Sequence, residues 1–384
     1  MKALLFERSL PRYAAARVAS TVRPGAGAWA GPLKLSEIDA PELPGPEWHR
    51  VRPRLAGICG SDLATVDGRS SRYFEPIVSF PFVPGHEVVG ELDDDRRVVV
   101  QPTLTCAARR VVPPCASCAA GATNRCERTA FGHLEPGLQT GYCADTGGGW
   151  STALAAHESQ LHEVPADMSD EAAVMVEPAA CAVHAAARVG DTDVAVIGAG
   201  TLGLCTIAAL RYFGTPHVVI AAAKHPEQRT LARRLGADVV AEPSELDRAV
   251  RRSVGTSLVA GDQLTGGVGA VVDCVGSEAS LAQALRIVAP GGTVHLLGMP
   301  GRVSVDLTAL WHREVSLQGA YAYTGDDFAK AFELVPAKEL DRLVSALYPL
   351  DRFHDAIEHA AEAGRRGAVK IAFDLGATAR GGRR

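Results

Sequence analysis

The stretch that most constrains this chain is Val194–Gly203, which reads V-A-V-I-G-A-G-T-L-G. Four apolar residues typical of a buried strand lead directly into Gly198, Gly200 and Gly203. The first glycine permits a tight turn, the second lets a pyrophosphate approach the backbone, and the third lets a helix pack closely on the strand. We therefore predict a strand, a tight turn and a helix at this point.

The segments that follow indicate that this turn belongs to a dinucleotide-binding fold. A lone G-x-G-x-x-G motif is weak evidence, but here a helical segment, Leu202–Arg211, follows the turn, so that free N–H groups near Thr201 and Leu202 would face an anion. Further strand-like segments, separated by helical patterns, lie at His217–Ala221, Val239–Val240, Gly269–Cys274 and Thr293–Leu297. A glycine-rich surface loop would not explain this alternation, so we predict an α/β fold with a doubly wound parallel sheet.

Length and composition bound the class of protein. The 384 residues are enough for two domains, and no apolar run approaches the length of a membrane helix. A net charge of −5, with basic residues clustered only in a short arginine-rich C-terminal tail, argues against nucleic acid as a partner. Because the first residues do not read as a secretory signal, we expect a cytoplasmic protein without a membrane partner. Its nine cysteines are then expected to be metal ligands or core residues rather than disulfides.

Composition also predicts the domain organisation. Residues 1–180 are rich in Pro, Gly and short strand-like segments, with little helical periodicity before Glu171, which indicates a β-rich first domain. Residues 181–325 alternate between strand and helix. Residues 326–384 end in a strand at Val369–Phe373 that no crossover helix follows, so we expect this last part to return to the first domain.

Three short motifs in the first part of the chain carry side chains capable of chemistry. G-I-C-G-S-D places Cys59 at a strand end with the Ser61 hydroxyl two residues later, and P-G-H-E presents His86 and Glu87 at the entry to a strand. V-E-P places Glu177 at the start of a helix. Each has an ordinary alternative: a core cysteine, a surface turn, and an acid that is favourable at a helix N-terminus for the dipole alone.

Four further cysteines have the spacing of metal ligands. Cys115, Cys118 and Cys126 are separated by two and seven residues, and Cys106 precedes them. Four thiolates match a closed structural zinc site, so we predict a zinc-binding lobe at about residues 102–128.

Together these motifs resemble the zinc-containing medium-chain dehydrogenase/reductase superfamily, in particular its alcohol, polyol, glucose and threonine dehydrogenase branch. The resemblance covers nearly the whole chain and includes V-D-C-V-G-S at Val272–Ser277 and L-L-G-M-P at Leu296–Pro300. It implies a GroES-like β-barrel catalytic domain followed by a Rossmann domain. It also implies that Val275, Gly276 and Leu297 contact the bound nucleotide.

The resemblance further implies two zinc ions per chain. Cys59, His86 and Glu87 would ligate the catalytic zinc, with Glu177 as a fourth, exchangeable ligand or as the group that holds a bound water. A thiolate and a carboxylate cancel the charge of Zn²⁺, and an open position remains for substrate. The zinc would act as a Lewis acid while hydride passes between a small alcohol or carbonyl substrate and a nicotinamide.

The spacing of the first structural cysteine departs from the family. In most relatives the first three cysteines are evenly spaced, whereas eight residues, A-A-R-R-V-V-P-P, separate Cys106 from Cys115 here. Lengthening this loop from two residues to eight should cost only about 1.2 kcal/mol of closure entropy, against roughly 10–16 kcal/mol for a structural zinc site. We therefore keep Cys106 as a ligand.

The predicted cofactor preference follows from the end of the second Rossmann strand. Relatives often carry an acidic residue there that binds the ribose 2′-hydroxyl. Alignment through Arg229 places Ala223 at this position, followed by Lys224 and His225. Loss of the acid beside a cation favours NADP(H) over NAD(H). The alternative is that Lys224 is only a solvated loop charge and NAD is still accepted.

A second departure concerns the proton. Many relatives read C-G-S-D-x-H, and their His passes the substrate proton to solvent, but Ala64 stands there in this chain. We expect Ser61 to pass the proton to a ribose hydroxyl or a water instead. A reductase of an activated C=C or C=N bond is the alternative, since its proton can arrive elsewhere, and a noncatalytic NADPH-binding protein is a third.

The last apolar strand of the Rossmann domain predicts self-association. Val315–Tyr321 closes the predicted sheet, and in relatives this edge pairs with the same edge of a second subunit. We expect a homodimer or a homotetramer.

Overall fold

The computed structural model describes residues 1–259, 263–299 and 301–376. Pro300, which ends the L-L-G-M-P motif, and the arginine-rich tail lie outside the described residues. The chain divides into two compact units. The first unit comprises Met1–Glu177 and Glu339–Arg384, and the second comprises Pro178–Lys338.

The strands of the described residues are as follows: β1 Lys2–Phe6, β2 Leu33–Glu37, β3 Trp48–Gly57, β4 Val88–Glu91, β5 Arg97–Val100, β6 Leu154–His157, β7 Leu161–Glu163, β8 Val194–Ile197, β9 Val219–Ala222, β10 Val239–Ala241, β11 Val268–Asp273, β12 Val288–Leu296, β13 Ser316–Gly319, β14 Val344–Pro349 and β15 Lys370–Asp374.

The α-helices are as follows: α1 Leu10–Val22, α2 Gly27–Ala30, α3 Gly60–Val66, α4 Ala116–Ala119, α5 Asp170–Ala173, α6 Val176–Ala186, α7 Thr201–Phe213, α8 Pro226–Leu235, α9 Leu246–Val254, α10 Glu278–Ile287, α11 Thr308–His312, α12 Gly325–Ala337 and α13 Phe353–Ala361. Short 3₁₀ turns occupy Arg72–Ile77, Thr123–Arg125, Glu158–Gln160, Pro243–Glu245, Leu340–Leu343, Leu350–Arg352 and Ala363–Arg366. Within the described parts of the chain, none of these helices combines the length and the apolar character needed to cross a membrane.

The second unit is built on a parallel sheet of six strands in the order β10-β9-β8-β11-β12-β13. Every residue of β8 is buried, as expected for a central parallel strand that is covered on both faces. One apolar core joins Ile197 and Ile220 of the sheet with Leu246 and Leu281 of the helices. This confirms the predicted doubly wound α/β architecture.

The first unit is mainly β-structure. Its larger sheet runs β14-β15-β3-β4-β5-β7 with β6 also paired to β3, and β1 and β2 form a separate antiparallel pair. The closing strand β15 pairs antiparallel with β3, Ala372 lying opposite Gly57. Phe6, Phe82, Trp150 and Phe373 are part of the core beneath these strands.

Helix α12 lies in a different part of the structure from the one that the sequence predicted. The sequence pattern predicts that residues 326–338 belong with the C-terminal segment, whereas the structure places them in the second unit. The physical reason is that α12 packs against α7, the helix that follows the glycine turn. Phe328 and Leu334 are fully buried on this helix.

The first unit also contains a helical hairpin, α1 and α2, in a region where the sequence showed little helical periodicity. Pro11 occupies the first turn of α1, where its missing N–H costs nothing, and an alanine-rich run follows. Ala16 alone is buried on α1, but Ala28 of α2 belongs to the apolar core of the first unit. The fully buried carboxylate of Asp67 also holds the hairpin, because it accepts hydrogen bonds from the N–H groups of Gly25 and Gly27 at 3.1 Å each.

Candidate metal and cofactor sites

Three side chains from the sequence motifs of the first unit meet in one cluster. The ligand atoms of Cys59, His86 and Glu87 all lie within 4.8 Å of one another, and His86 and Glu87 are buried. A thiol, an imidazole and a carboxylate that converge in this way match the donor set of a catalytic zinc site. This set fits the metal that the sequence predicted.

The local backbone explains how these three side chains meet. Cys59 is the N-cap residue of α3, directly after β3, and His86 and Glu87 immediately precede β4. Strands β3 and β4 are antiparallel neighbours, so the end of one lies beside the start of the other. Asp62 completes the turn, because its Oδ2 accepts the N–H of Cys59 at 3.0 Å.

Asp62 also approaches the imidazole. Its Oδ1 lies 3.4 Å from Nδ1 of His86, and this buried nitrogen has no hydrogen-bond partner within the described residues. Burial lowers the pKa of His86, but the Asp62 carboxylate and the Cys59 thiol outweigh burial and raise this pKa well above its usual value. The surroundings of the cluster therefore favour positive charge, as a cation site requires.

The structure adds a residue that the sequence motifs missed. Lys370 of β15 is fully buried, and its Nζ donates hydrogen bonds to Oε2 of Glu87 and, at 3.3 Å, to the carbonyl oxygen of Ile58. Burial lowers the pKa of Lys370, but the Glu87 carboxylate and the Cys59 thiol outweigh burial and raise it. Lys370 therefore remains a cation that compensates the buried carboxylate.

This ion pair also explains one glycine of the G-I-C-G motif. A Cβ at Gly57 would lie 2.0 Å from Oε2 of Glu87 and 2.8 Å from Cε of Lys370. A side chain at residue 57 would therefore displace the carboxylate or the ammonium group.

Two other predicted residues lie outside the cluster. Glu177 is buried in α6, but it is not among the groups whose ligand atoms meet within 4.8 Å in the described chain. Its carboxylate helps to raise the pKa of Lys370. Ser61 is half-buried in the first turn of α3, and its carbonyl oxygen accepts the hydroxyl of Thr65 at 3.0 Å. Ala64 follows on the same helix.

The four cysteines of the predicted zinc-binding lobe form a second cluster. The Sγ atoms of Cys106, Cys115, Cys118 and Cys126 all lie within 4.8 Å of one another. Backbone N–H groups point at the sulfurs, for example from Cys115 to Cys106 at 3.3 Å. Burial raises the pKa of Cys115, but such N–H donors outweigh burial and lower it to about 6. Burial and the neighbouring thiols instead raise the pKa values of Cys118 and Cys126, as expected where four sulfurs lie close together. Such a set of four sulfurs fits a closed zinc site, whose charge would hold them as thiolates.

The long loop after Cys106 is anchored by an arginine that the sequence analysis did not single out. Arg109 is fully buried, and its guanidinium donates to the carbonyl oxygens of Phe131 at 3.0 Å and Gly137 at 2.6 Å. A buried guanidinium with several carbonyl partners ties two loops together. Arg109 thereby keeps Cys106 within reach of the other thiols despite the extra residues.

The glycine motif of the second unit has the geometry that the sequence predicted. Gly198 has φ +91°, a conformation that L side chains rarely adopt, and a Cβ at Gly203 would lie 1.7 Å from the carbonyl oxygen of Gly198. A Cβ at Gly200 would meet no described atom within 4 Å, so it would enter open space beside the turn. Thr201 and Leu202 begin α7. A pyrophosphate fits this cradle.

The neighbouring strand ends carry the other predicted nucleotide contacts. Asp273 is fully buried at the end of β11, and its Oδ1 accepts the N–H groups of Val275 at 2.9 Å and Gly276 at 3.1 Å. Gly276 has φ +72°, and a Cβ there would lie 2.7 Å from the carbonyl oxygen of Gly298. Leu297 is buried directly after β12. The Asp273 carboxylate thus shapes the loop that presents Val275, which is half exposed.

The end of β9 presents a cation. Ala223 is buried there, and Lys224 is exposed, with no ion pair to any described residue. Arg229 is engaged elsewhere, since it donates to the carbonyl oxygen of Lys224 at 3.0 Å and lies 3.1 Å from the carboxylate of Glu242. His225 is the N-cap residue of α8. Of these side chains, Lys224 is the one available to an added anion.

Comparison with known families gives two matches. Residues 45–166 match the alcohol dehydrogenase GroES-like domain, and residues 201–337 match the zinc-binding dehydrogenase family. The first match includes the Cys59 cluster and the four-cysteine cluster, and the second begins at Thr201, within the glycine motif.

Curated proteins with similar sequences include dehydrogenases named for idonate and sorbitol and reductases named for xylulose. L-Idonate 5-dehydrogenase of Vitis vinifera is 28% identical over 370 residues, covering 91% of this chain and 94% of its own. Sorbitol dehydrogenase of Bacillus subtilis is 27% identical, covering 84% of this chain and 90% of its own.

Solved structures with the same fold include a zinc-binding dehydrogenase from Sinorhizobium meliloti bound to NADP. It has 25% identity and a TM-score of 0.71, covering 89% of this chain and 96% of its own. The alcohol dehydrogenase TADH from a Thermus species has 24% identity and a TM-score of 0.74, covering 97% of this chain and 99% of its own.

Proposed function

Because the chain belongs to the zinc-containing medium-chain dehydrogenase/reductase superfamily and is an oxidoreductase of the alcohol dehydrogenase type, we propose that it interconverts an alcohol and a carbonyl compound with zinc and NADP(H). The observation that carries this proposal is the meeting of Cys59, His86 and Glu87 within 4.8 Å. Zinc held by these residues would supply Lewis acidity, and the nicotinamide would exchange the hydride.

The protein's own side chains have separate tasks in this reaction. Cys59, His86 and Glu87 bind the metal, and Lys370 holds the Glu87 carboxylate by the hydrogen bond described above. The hydroxyl of Ser61, two residues from Cys59, can both accept and donate a hydrogen bond, so it takes the proton of the alcohol. Glu177 lies near Lys370 and adds negative charge on this side of the cluster.

We propose a polyhydroxylated substrate that reacts at a secondary alcohol. The curated relatives include enzymes named for idonate and sorbitol, which are polyhydroxylated compounds. These relatives share about a quarter of their residues with this chain and align along most of its length. The likeness supports a class of substrate and leaves the particular sugar alcohol or sugar acid to experiment.

The proposed preference for NADP(H) rests on Lys224. Its ammonium, which has no ion pair among the described residues, directly follows Ala223. An acidic residue at position 223 would repel a 2′-phosphate. A charge-assisted hydrogen bond to phosphate is the interaction that such a cation supplies. The related Sinorhizobium meliloti structure, which is bound to NADP, is consistent with this choice.

A substrate panel tests the proposal. Purified protein would be assayed for NADPH oxidation with keto sugars, simple aldehydes, ketones, enones and imines, together with Cys59→Ala and the control Cys143→Ala. Cys143 is a buried cysteine outside both metal-binding clusters. We expect keto sugars to react best and only Cys59→Ala to abolish activity. Turnover of enones or imines alone would replace the proposal with the C=C or C=N reductase.

We also propose that the protein assembles through strand β13. Every residue of this edge strand is exposed, and apolar side chains at Trp311, Leu317 and Tyr321 stand exposed on and beside it. An open apolar edge of this kind is a template for pairing with a second chain. Light scattering should give a dimer or tetramer that Leu317→Lys dissociates. A wild-type monomer at micromolar concentration would refute this assembly.

A further inference from the structure

A row of hydroxyl groups runs through the first unit toward the candidate metal cluster. Oγ of Ser70 lies 2.8 Å from Oγ1 of Thr65, which lies 3.2 Å from the hydroxyl of Tyr142. The Tyr142 hydroxyl in turn donates to Oδ1 of Asp62 at 3.4 Å. The row ends on the carboxylate that approaches His86.

The carboxylate of Asp62 fixes the direction of this row. A hydroxyl has one proton to donate, whereas an ionised carboxylate only accepts. Tyr142 therefore donates to Asp62, and Thr65, whose proton goes to the carbonyl oxygen of Ser61 at 3.0 Å, can accept from Ser70. Asp62 is buried, and its other oxygen is taken by the N–H of Cys59.

Oδ1 of Asp62 is thus shared between Tyr142 and the imidazole of His86. Both distances are 3.4 Å, and Nδ1 of His86 has no other partner within the described part of the chain. Groups that contact a metal-ligating histidine on its far side set the orientation of its ring. The position of Oδ1 consequently decides where the ring of His86 is held.

We propose that Tyr142 is a positioning residue that holds the Asp62 carboxylate against His86 and thereby helps the cluster to retain its metal. This inference rests on the proposed function, since it requires zinc at Cys59, His86 and Glu87. Tyr142 acts through its hydroxyl. Its ring has separate contacts, with centroids 5.2 Å from Phe82 and 6.2 Å from His86, which phenylalanine would keep.

Release of zinc measures this effect without relying on catalysis. Protein loaded with zinc would be mixed with an excess of a chelating dye, and the rates of release from the two clusters would be followed separately. Second-layer partners of metal ligands typically change metal affinity 10–100-fold. Tyr142 is one hydrogen bond further from the metal than Asp62. We therefore expect Tyr142→Phe to accelerate zinc release from the Cys59 cluster about threefold to tenfold.

Other readouts separate positioning from general destabilisation. Release from the four-cysteine cluster and the melting temperature of the metal-free protein should not change in Tyr142→Phe. The absorption bands of cobalt bound at the Cys59 cluster should shift. The matched control is Tyr348→Phe, which removes a tyrosine hydroxyl that contacts Nδ1 of His359 at 3.0 Å rather than a residue of either cluster, and should leave every readout unchanged.

The outcomes distinguish this inference from the proposed function. Two zinc ions in wild type with an unchanged or slower release in Tyr142→Phe would overturn the inference and leave the function intact. Failure of the wild type to bind zinc at Cys59 would overturn both. If Tyr142→Phe does not fold, Thr65→Val decides, because it removes the hydroxyl behind Tyr142 and should accelerate release in the same direction.

Discussion

Lys370 and Glu87 form an ion pair that is almost completely shielded from water, each side chain being 1% exposed. Removing one member of such a pair leaves an uncompensated buried charge, which typically costs 3–5 kcal/mol. Lys370→Met should therefore lower the free energy of unfolding by about this amount, measured in urea on metal-free protein.

The controls for this pair are one exposed pair and one double variant. Lys34 and Glu7 form a partly exposed pair, so Lys34→Met should change stability by less than about 1 kcal/mol. Lys370→Met combined with Glu87→Gln should recover much of the loss, because no charge is then left unpaired. Equal losses in Lys370→Met and Lys34→Met would contradict the argument.

The two metal clusters should differ in how readily they lose zinc. Four thiolates form a closed site, whereas the Cys59 cluster has three ligands and an open position. Elemental analysis should give two zinc ions per chain before mild chelation and about one afterwards. Cys59→Ala should remove only the labile ion and Cys118→Ala only the resistant one. If the wild type binds only about one zinc ion per chain, one of the two clusters is not a zinc site.

A third prediction concerns the buried pair His184 and Asp327 of the second unit. Nδ1 of His184 and Oδ2 of Asp327 are 2.6 Å apart, and the N–H of Thr324 reaches the same oxygen at 2.9 Å. Burial raises the pKa of Asp327, but these hydrogen bonds outweigh burial and lower it to about 2. Since the pKa of an unfolded Asp is about 3.9, the ionised group stabilises the fold above about pH 4, and this contribution is lost as the pH falls toward 2.

Asp327→Asn should therefore destabilise the protein by about 2 kcal/mol at pH 6, and the difference from wild type should fall to roughly half at pH 3. Urea unfolding at the two pH values measures this. Asp326→Asn, which changes the exposed neighbour on the same helix, should have little effect at either pH. A difference that does not depend on pH would show that the Asp327 charge is not responsible.

Local motifs made much of this site predictable. The spacing of the three glycines and of the four cysteines predicts their local geometry, and Cys106 lies with the other three sulfurs despite its longer loop. The contacts of Lys370 and Tyr142 could not be predicted in this way. Lys370 and Glu87 are 283 residues apart in the sequence, and Tyr142 and Asp62 are 80 apart. Neither contact can therefore be inferred from the spacing within a local motif.

The helical hairpin α1 and α2 escaped prediction for a different reason. The periodicity of α1 is weak because Ala16 is its one buried residue, and the four residues of α2 are too few to show a helical period. The hairpin is also held by Asp67, more than thirty residues further along the chain. Such an anchor becomes visible only when the tertiary structure is known.

Cofactor choice should depend on Lys224. Lys224→Ala should weaken the use of NADP by roughly 1–3 kcal/mol in kcat/KM while affecting NAD little, because only NADP carries the 2′-phosphate. Ala223→Asp should reverse the preference by restoring an acid for the ribose 2′-hydroxyl. Lys330→Ala, at an exposed lysine of α12, is the control and should change neither cofactor. A wild-type preference for NAD would contradict the assignment.

The route of the substrate proton is the least conventional part of the proposed reaction, because Ala64 stands where the C-G-S-D-x-H pattern of the family resemblance would place a histidine. If the substrate is an alcohol, its proton must leave, and Ser61 is the hydroxyl closest in sequence to Cys59. Positioned proton transfer typically contributes a factor of about 10²–10⁴, so Ser61→Ala should lower kcat/KM at least about a hundredfold. Zinc content and NADP binding should stay unchanged, and Ser61→Thr should retain much of the activity because it keeps a hydroxyl. Near wild-type turnover by Ser61→Ala on the best alcohol would exclude this proton route, and reduction of a C=C or C=N bond would then become the leading function.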